Sequence, residues 1–439
     1  MAKIIVAGGG HGGIAAAALL AQQGFDVTVY EARERENMGY DWTDIFDRKG
    51  FTAIGLDLPD AKDFRLKHNM TFYSPSMHYR RKQHVPEEQL EIQMERTVIY
   101  DYLIKYAEES GVKFEFGVTA EAPVLLGNRV VGIKTDKGNV YGDLIIDACG
   151  ADSPVRRNMP DYLGMTKELG TMDKFYVYRA FFERTAEIPA DDYNIHLFYK
   201  GALGISWVAV EEEHTDVLIG RFEPFGEDVV EETLCSLRKQ YPSLGEKLVR
   251  GGQFVTIPVR QTNAVMTCNG YAAIGDAAFM TVPLIGSGIA NSLKAARILA
   301  DAVAADENRE FSAETLYAYQ KNFFKKLGSG LAPIACVKLM LTKITEADVE
   351  YLFSSGMIND DDITIGADFT DLSGFLDGID LASLKAKANG VIKDKKLLKI
   401  ILGTGAQIAS VAAITKLMPA KYDTKALKAW AKKYNACFK

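Results

Sequence analysis

The stretch Lys3–Glu31, KIIVAGGGHGGIAAAALLAQQGFDVTVYE, decides the fold. Ile4 to Ala7 reads as an apolar strand, followed by a glycine turn, a helix rich in alanine and leucine, and a second strand ending on Glu31. Gly8, Gly10 and Gly13 occupy the three positions of G-x-G-x-x-G. The first permits a tight turn, the second lets backbone approach a pyrophosphate, and the third lets helix and strand pack closely. The helix N-terminus then offers unpaired N–H groups and a partial positive charge to phosphates. Glu31 follows the last glycine by 18 residues, where a carboxylate accepts ribose hydroxyls. This register predicts a dinucleotide site built around Gly8, Gly10, His11, Gly12, Gly13, Glu31, Ala32 and Arg33. His11, inside the turn, is expected beside the pyrophosphate rather than in chemistry.

The chain of 439 residues is long enough for two or three domains, and its 48% hydrophobic and 25% charged content is that of a soluble globular protein. A formal charge of −7 without a long basic run argues against nucleic acid as a partner. The five cysteines (Cys149, Cys235, Cys268, Cys336, Cys437) are odd in number, scattered and without C-x-x-C, so neither a disulfide framework nor a metal site is expected. The chain opens directly on its first strand, leaving no room for a signal peptide, and a cytoplasmic location is the expectation.

Residues 36–95 read as irregular, and Arg96 heads a helix to Gly111. Short strands follow, then DLIIDACGADSPVRR. Residues 172–224 alternate apolar and polar as a half-buried antiparallel sheet does, with a helix near 227–240 and a strand at 252–260. GYAAIGDAA returns to a buried strand, and a long helix runs from Gly288 to about Asp306. From roughly 312 onward the pattern is helical and lysine-rich. Within it, residues 397–418 carry Gly403-x-Gly405, but Ile408 stands where a third glycine belongs, and Lys399 and Gln407 spoil a membrane span. A packed helix is expected there, with flanking lysines that allow membrane-surface contact.

In the segment from Gly275-Asp276 to Pro283, Gly286, Ser287 and Gly288, an aspartate ends a buried strand where it can hold a polyol hydroxyl. The turn then enters a helix whose N-terminus faces back toward the ligand and stabilises negative charge. The glycine motif, Arg96, the CGADSPVRR segment and Gly275-Asp276 occur in an order that resembles the FAD-binding superfamily with the p-hydroxybenzoate hydroxylase fold. The resemblance implies an α/β chain: a discontinuous Rossmann-type FAD-binding domain (1–170 plus 262–310), an antiparallel β-sheet substrate domain (171–261) and a mostly helical C-terminal region (311–439). It also implies that Glu31 holds the adenosine ribose, Arg96 the pyrophosphate or ribose region, and backbone near Val118 the adenine. Gly150 would lie near the nucleotide, Asp276 near the ribitol and pyrophosphate, and Gly286 to Gly288 near the pyrimidine edge of the flavin. For Asp152 and Arg156, ligand contact and domain packing stand as equal alternatives.

Within that superfamily the chain is similar to the geranylgeranyl reductase-like branch, whose members reduce C=C bonds of apolar substrates and carry an extended helical C-terminus. Tyr176, Tyr178, Phe182, Tyr199 and Trp207 are candidate pocket walls, with ordinary core positions as the alternative. Archaeal-type members place a cysteine in the loop after the ribose glutamate. Here that loop reads Asn37-Met38-Gly39-Tyr40-Asp41-Trp42-Thr43-Asp44, so Tyr40, Asp41 and Trp42 are the candidates to shape the flavin environment. Three functions stay open: a flavin-dependent reductase of an apolar or aromatic unsaturated substrate, a monooxygenase using NAD(P)H and oxygen, and a flavoprotein that only binds FAD or passes electrons. No G-W-x-W-x-I-P-type sequence supports a halogenase. The absence of a second dinucleotide fold leaves NAD(P)H or a protein donor as a transient reductant. His68, His78 and His84 with Lys67, Arg80, Arg81 and Lys82 form a basic stretch, read either as an anion site or as a solvated loop. The oligomeric state is not legible.

Overall fold

The computed structural model describes residues 1–186, 192–365 and 394–439. Ile4–Ala7 are completely buried, as a strand with apolar residues on both faces must be. This strand, β1 (Lys3–Ala7), is the centre of a six-stranded sheet. It runs parallel to β2 (Asp26–Glu31) and β12 (Leu144–Asp147). The sheet extends through parallel β8 (Lys113–Phe116) on one side. On the other side it extends through parallel β19 (Tyr271–Ala273) and antiparallel β18 (Thr267–Cys268). Helix α1 (His11–Gln22) packs against α3 (Arg96–Glu109) and α6 (Ile289–Ala304), and the short α2 (Lys49–Ala53) rests on α6. A meander of β9 (Ala120–Leu126), β10 (Arg129–Thr135) and β11 (Gly138–Tyr141) touches β12.

The second sheet has seven strands in the order β17 (Leu244–Pro258), β13 (Lys174–Arg184), β16 (His214–Arg221), β15 (Gly204–Val210), β14 (Asp192–Leu197), β5 (Met70–Tyr73) and β6 (Arg80–Lys82). All neighbours are antiparallel except β14 and β5. The stretch read as irregular therefore holds five short strands. Two of them, β5 and β6, join the middle sheet; the others, β3 (Thr43–Phe46), β7 (Ile92–Glu95) and β4 (Arg65–Leu66), make a small sheet of their own. None of the five exceeds four residues, so no alternation could develop in the sequence.

One face of the seven-stranded sheet is covered by α5 (Glu227–Gln240), whose Val230, Leu234 and Leu237 meet Ala180, Phe182, Val217 and Ile219. Six C-terminal helices are described: α7 (Ala313–Phe323), α8 (Ser329–Leu341), α9 (Glu346–Ser354), α10 (Asp360–Ile365), α11 (Lys395–Lys416) and α12 (Thr424–Ala436). Ser312, Thr345, Asp394 and Asp423 cap four of them with side-chain oxygens. Helix α7 is tied to the six-stranded sheet and the segment before it by Tyr319 Oη donating to the Ala273 carbonyl at 2.9 Å and Gln320 Nε2 to that of Ala264 at 3.0 Å. Helix α11 is long and apolar enough by length and composition to cross a membrane, yet Leu397, Ile401, Ile408 and Val411 are buried on one face, and it packs on α8 and α12.

Candidate active site

The glycine turn makes a cradle because side chains do not fit. Gly8 has φ +88°, and a Cβ there would stand 2.7 Å from the Ala148 carbonyl oxygen; one on Gly13 would stand 2.5 Å from Ala148 Cβ. Helix α1 begins at His11 with no side-chain cap and no acid in its first turn, leaving its N-terminal N–H groups and dipole for an anion. Glu31, at the end of β2, accepts from Gly9 N–H at 2.6 Å through Oε2 and from Arg33 N–H at 2.9 Å through Oε1. The carboxylate is thereby fixed at the lip of the cradle, beside Ala32, Arg33 and Val118, which line the same cavity.

His11 stacks on Tyr100 with ring centroids 4.4 Å apart, and its Nε2 is buried without a partner. Burial, with Arg96 nearby, holds the imidazole well below its usual pKa, so it is neutral. Arg96 spans both oxygens of Asp44 at 2.8 and 2.9 Å and lies over the Tyr40 ring at 4.3 Å, with its Nε buried and unpartnered. Burial raises the Asp44 carboxyl against the pull of Arg96. Asp276 is likewise raised by burial and accepts from Thr281 Oγ1 at 2.8 Å. Gly286 (φ +75°), Ser287 and Gly288 face the cavity and lead into α6, whose first turn carries no acid. Pro283 does not face it; the proline is buried, and its neighbours Leu284 and Ile285 line the cavity instead.

The middle motif divides its labour. Gly150, Cys149 and Pro154 line the cavity, whereas Arg156 is fully buried, donating to the carbonyls of Thr166 (3.0 Å) and Ala277 (2.8 Å) and lying over Phe279. Asp152 points to Lys174 at 3.9 Å. Between the two alternatives for these residues, domain packing is what the geometry shows. The Cys149 thiol, raised well above its usual pKa by burial, donates to the Ala7 carbonyl at 3.1 Å, and both disfavour the thiolate.

The cradle opens without a break into an apolar chamber, the two forming one cavity of about 1000 Å³. Successive strand residues face opposite ways, so Phe175, Val177 and Arg179 of β13 line the chamber while Tyr178, Ala180 and Phe182 face α5, with Tyr176 in the same outward phase. Of the residues singled out from sequence, Trp207, Trp42 and Tyr40 line the chamber. Tyr178 and Tyr199 are not: Tyr178 packs on Phe254, and Tyr199 donates to Ser236 on α5 at 2.8 Å. The opposite wall comes from α8 and α9 and the turn between them, through Val337, Met340, Leu341, Ile344 and Leu352.

Two chamber cations, Arg179 and Lys67, were not singled out from sequence for this site. Arg179 pairs with Asp216 at 2.6 Å and lies between the rings of Trp42 and Trp207, at 5.1 and 5.0 Å. Its signal in the sequence was a lone charge in the middle of an apolar strand. Arg96 is held by Asp44, which no motif marks. Lys67, from the basic stretch, pairs with Glu91. Elsewhere in that stretch Arg81 donates to the Ile358 and Phe353 carbonyls at 2.7 and 2.6 Å at the end of α9, and His84 lies 3.7 Å from Asp360.

The family described as NAD(P)-binding Rossmann-like domain matches residues 6–76. A digeranylgeranylglycerophospholipid reductase of Sulfolobus acidocaldarius is 24% identical over 420 residues, covering 90% of this chain and 91% of that protein. A geranylgeranyl bacteriochlorophyll reductase-like protein from Thermoplasma acidophilum superposes with a TM-score of 0.72 at 18% identity, over 86% of this chain and 98% of that one. The myxobacterial chondrochloren halogenase superposes at 0.62 with 16% identity, over 92% and 97%. The fold is that of FAD-dependent oxidoreductases, and the likeness to geranylgeranyl reductase-like proteins spans nearly the whole chain.

Proposed function

We propose that the protein is an FAD-dependent reductase of carbon–carbon double bonds in a long apolar substrate of isoprenoid type. The observation that carries this reading is the continuity of the cavity: the nucleotide cradle and a chamber walled by aliphatic and aromatic side chains are one space. The reductase relatives support the same chemistry.

The cradle fits FAD by its own features. The glycines leave room where a Cβ would collide, the α1 N-terminus is uncapped, and the orphaned Arg96 Nε and His11 Nε2 await a polar partner. Glu31 would hold the adenosine ribose, Arg96 the phosphate region, Asp276 the ribityl chain and Gly286–Gly288 the flavin edge. The chemistry that bound FAD would supply, after reduction by a nicotinamide nucleotide or a protein donor, is hydride donation to one carbon of the alkene, with a proton going to the other. The chain's own part is positioning and exclusion of water. Trp42 and Trp207 are held rigid by Arg179 between them, and α8 and α9 close the apolar wall.

The test is spectroscopic. Photoreduced holoprotein, kept anaerobic, is mixed with a geranylgeranyl-bearing substrate while flavin absorbance is followed. Reoxidation without oxygen supports the reductase; reoxidation only on admitting oxygen, with oxygenated product, supports a monooxygenase instead.

A further inference from the structure

The cations of the chamber are paired. Among the described residues that line it beyond the lip at Arg33, every lysine or arginine is matched to a carboxylate: Arg96 to Asp44 at 2.8 Å, Arg179 to Asp216 at 2.6 Å and Lys67 to Glu91 at 3.0 Å. Arg96 belongs to the nucleotide cradle, and on the substrate side Arg179 and Lys67 are both paired, so neither stands as a free counter-charge for a substrate phosphate, which their partner carboxylates oppose. A dianion taken from water into such surroundings without a counter-charge is strongly disfavoured.

The same wall has one polar corner suited to a different group. Lys67, 8% exposed, and Gln83, 4% exposed, lie with Glu91 where β4, β6 and β7 meet the chamber. Lys67 N–H donates to the Glu91 carbonyl at 2.8 Å, so the two side chains are held together by their backbones. The ammonium has three N–H groups and gives one to Glu91. Gln83 Oε1 accepts the Met70 N–H at 3.0 Å, which fixes the amide and leaves its NH₂ to donate. The corner thus offers donors from Lys67 and Gln83 and an acceptor from Glu91, the complement of a hydroxyl, which both accepts and donates. For stability alone, apolar side chains of similar volume would serve at least as well as this buried pair.

We infer that the substrate carries a neutral, hydroxyl-bearing head, as an isoprenoid alcohol does, and that Lys67, Gln83 and Glu91 hold that head while the chain fills the apolar chamber. This rests on the reductase reading and names the substrate class for the same site. It sets the protein apart from its relatives named for phospholipid.

The test is equilibrium binding to oxidised holoprotein, read by quenching of tryptophan fluorescence. The ligands are geranylgeraniol, its monophosphate and the hydrocarbon of equal chain length. Wild type is expected to bind the alcohol at least ten-fold more tightly than either of the others. Lys67→Met is expected to lose that margin over the hydrocarbon, and Glu91→Gln to narrow the margin over the phosphate. Because breaking a buried pair can unfold a protein, the Lys67→Met/Glu91→Leu double variant, which leaves no lone charge, serves as the second probe and is expected to bind alcohol and hydrocarbon alike. Tighter binding of the phosphate, or an alcohol preference that survives in the double variant, overturns the inference while leaving the reductase reading in place. Failure of all three ligands to bind overturns both.

Discussion

Arg179 and Asp216 form a two-point ion pair, Nε to Oδ1 at 2.9 Å and Nη2 to Oδ2 at 2.6 Å, inside the chamber wall. Both side chains are about as buried as side chains can be, at 2% and 1% exposure. Removing one partner leaves the other charged and dry, which costs roughly 3–5 kcal/mol. Asp216→Ala is therefore expected to destabilise by that order in urea unfolding, and Arg179→Met/Asp216→Leu to recover most of it. Equal loss in the double variant would show that something other than the lone charge is responsible.

Glu31 is expected to control cofactor affinity rather than folding. Its two hydrogen bonds stay within the cradle, and a charged hydrogen bond is worth about 1.5–3 kcal/mol. Glu31→Ala should weaken FAD binding by roughly ten- to a hundred-fold in a flavin fluorescence titration, with the unfolding midpoint of the apoprotein little changed.

Leu352, on α9, faces the chamber far along the chain from the glycine motif. Leu352→Trp should fill part of the space reserved for substrate. KM for a twenty-carbon isoprenoid is expected to rise several-fold, with FAD content unchanged and a short isoprenoid affected less. An equal effect on both chain lengths would place α9 outside the substrate's path.

His196 gives a pH dependence of known sign. Its Nε2 meets Tyr241 Oη at 2.7 Å and its Nδ1 is buried without a partner, so burial lowers its pKa from 6.5 to about 4. Between those values the unfolded chain takes up a proton and the folded one does not. Stability therefore falls as pH drops through that window, by up to roughly 3 kcal/mol for this group. His196→Phe should make the decline shallower in urea titrations at successive pH values; an unchanged slope would assign it to other groups, such as His11.

The nucleotide half was legible because its chemistry is local: Gly8, Gly13 and Glu31 act at fixed spacings that the sequence displays directly. The chamber was legible only in part. Strand alternation made the middle sheet visible but not which phase faces the cavity, so Trp207 fell on the inner face and Tyr178 on the outer one. Lys67 and Asp44 sit in strands, or beside strands, too short to show a period, and the α8–α9 wall depends on how helices dock, which spacing alone does not encode.

The most direct measurement of the central claim is product mass. Chemically reduced holoprotein would be incubated anaerobically with a geranylgeranyl substrate, and the extracted lipid examined by mass spectrometry. A gain of two hydrogens per saturated double bond, at the expense of reduced flavin, is the expected result. Recovery of unchanged lipid alongside flavin that stays reduced, across alcohol and phosphate forms alike, would contradict it.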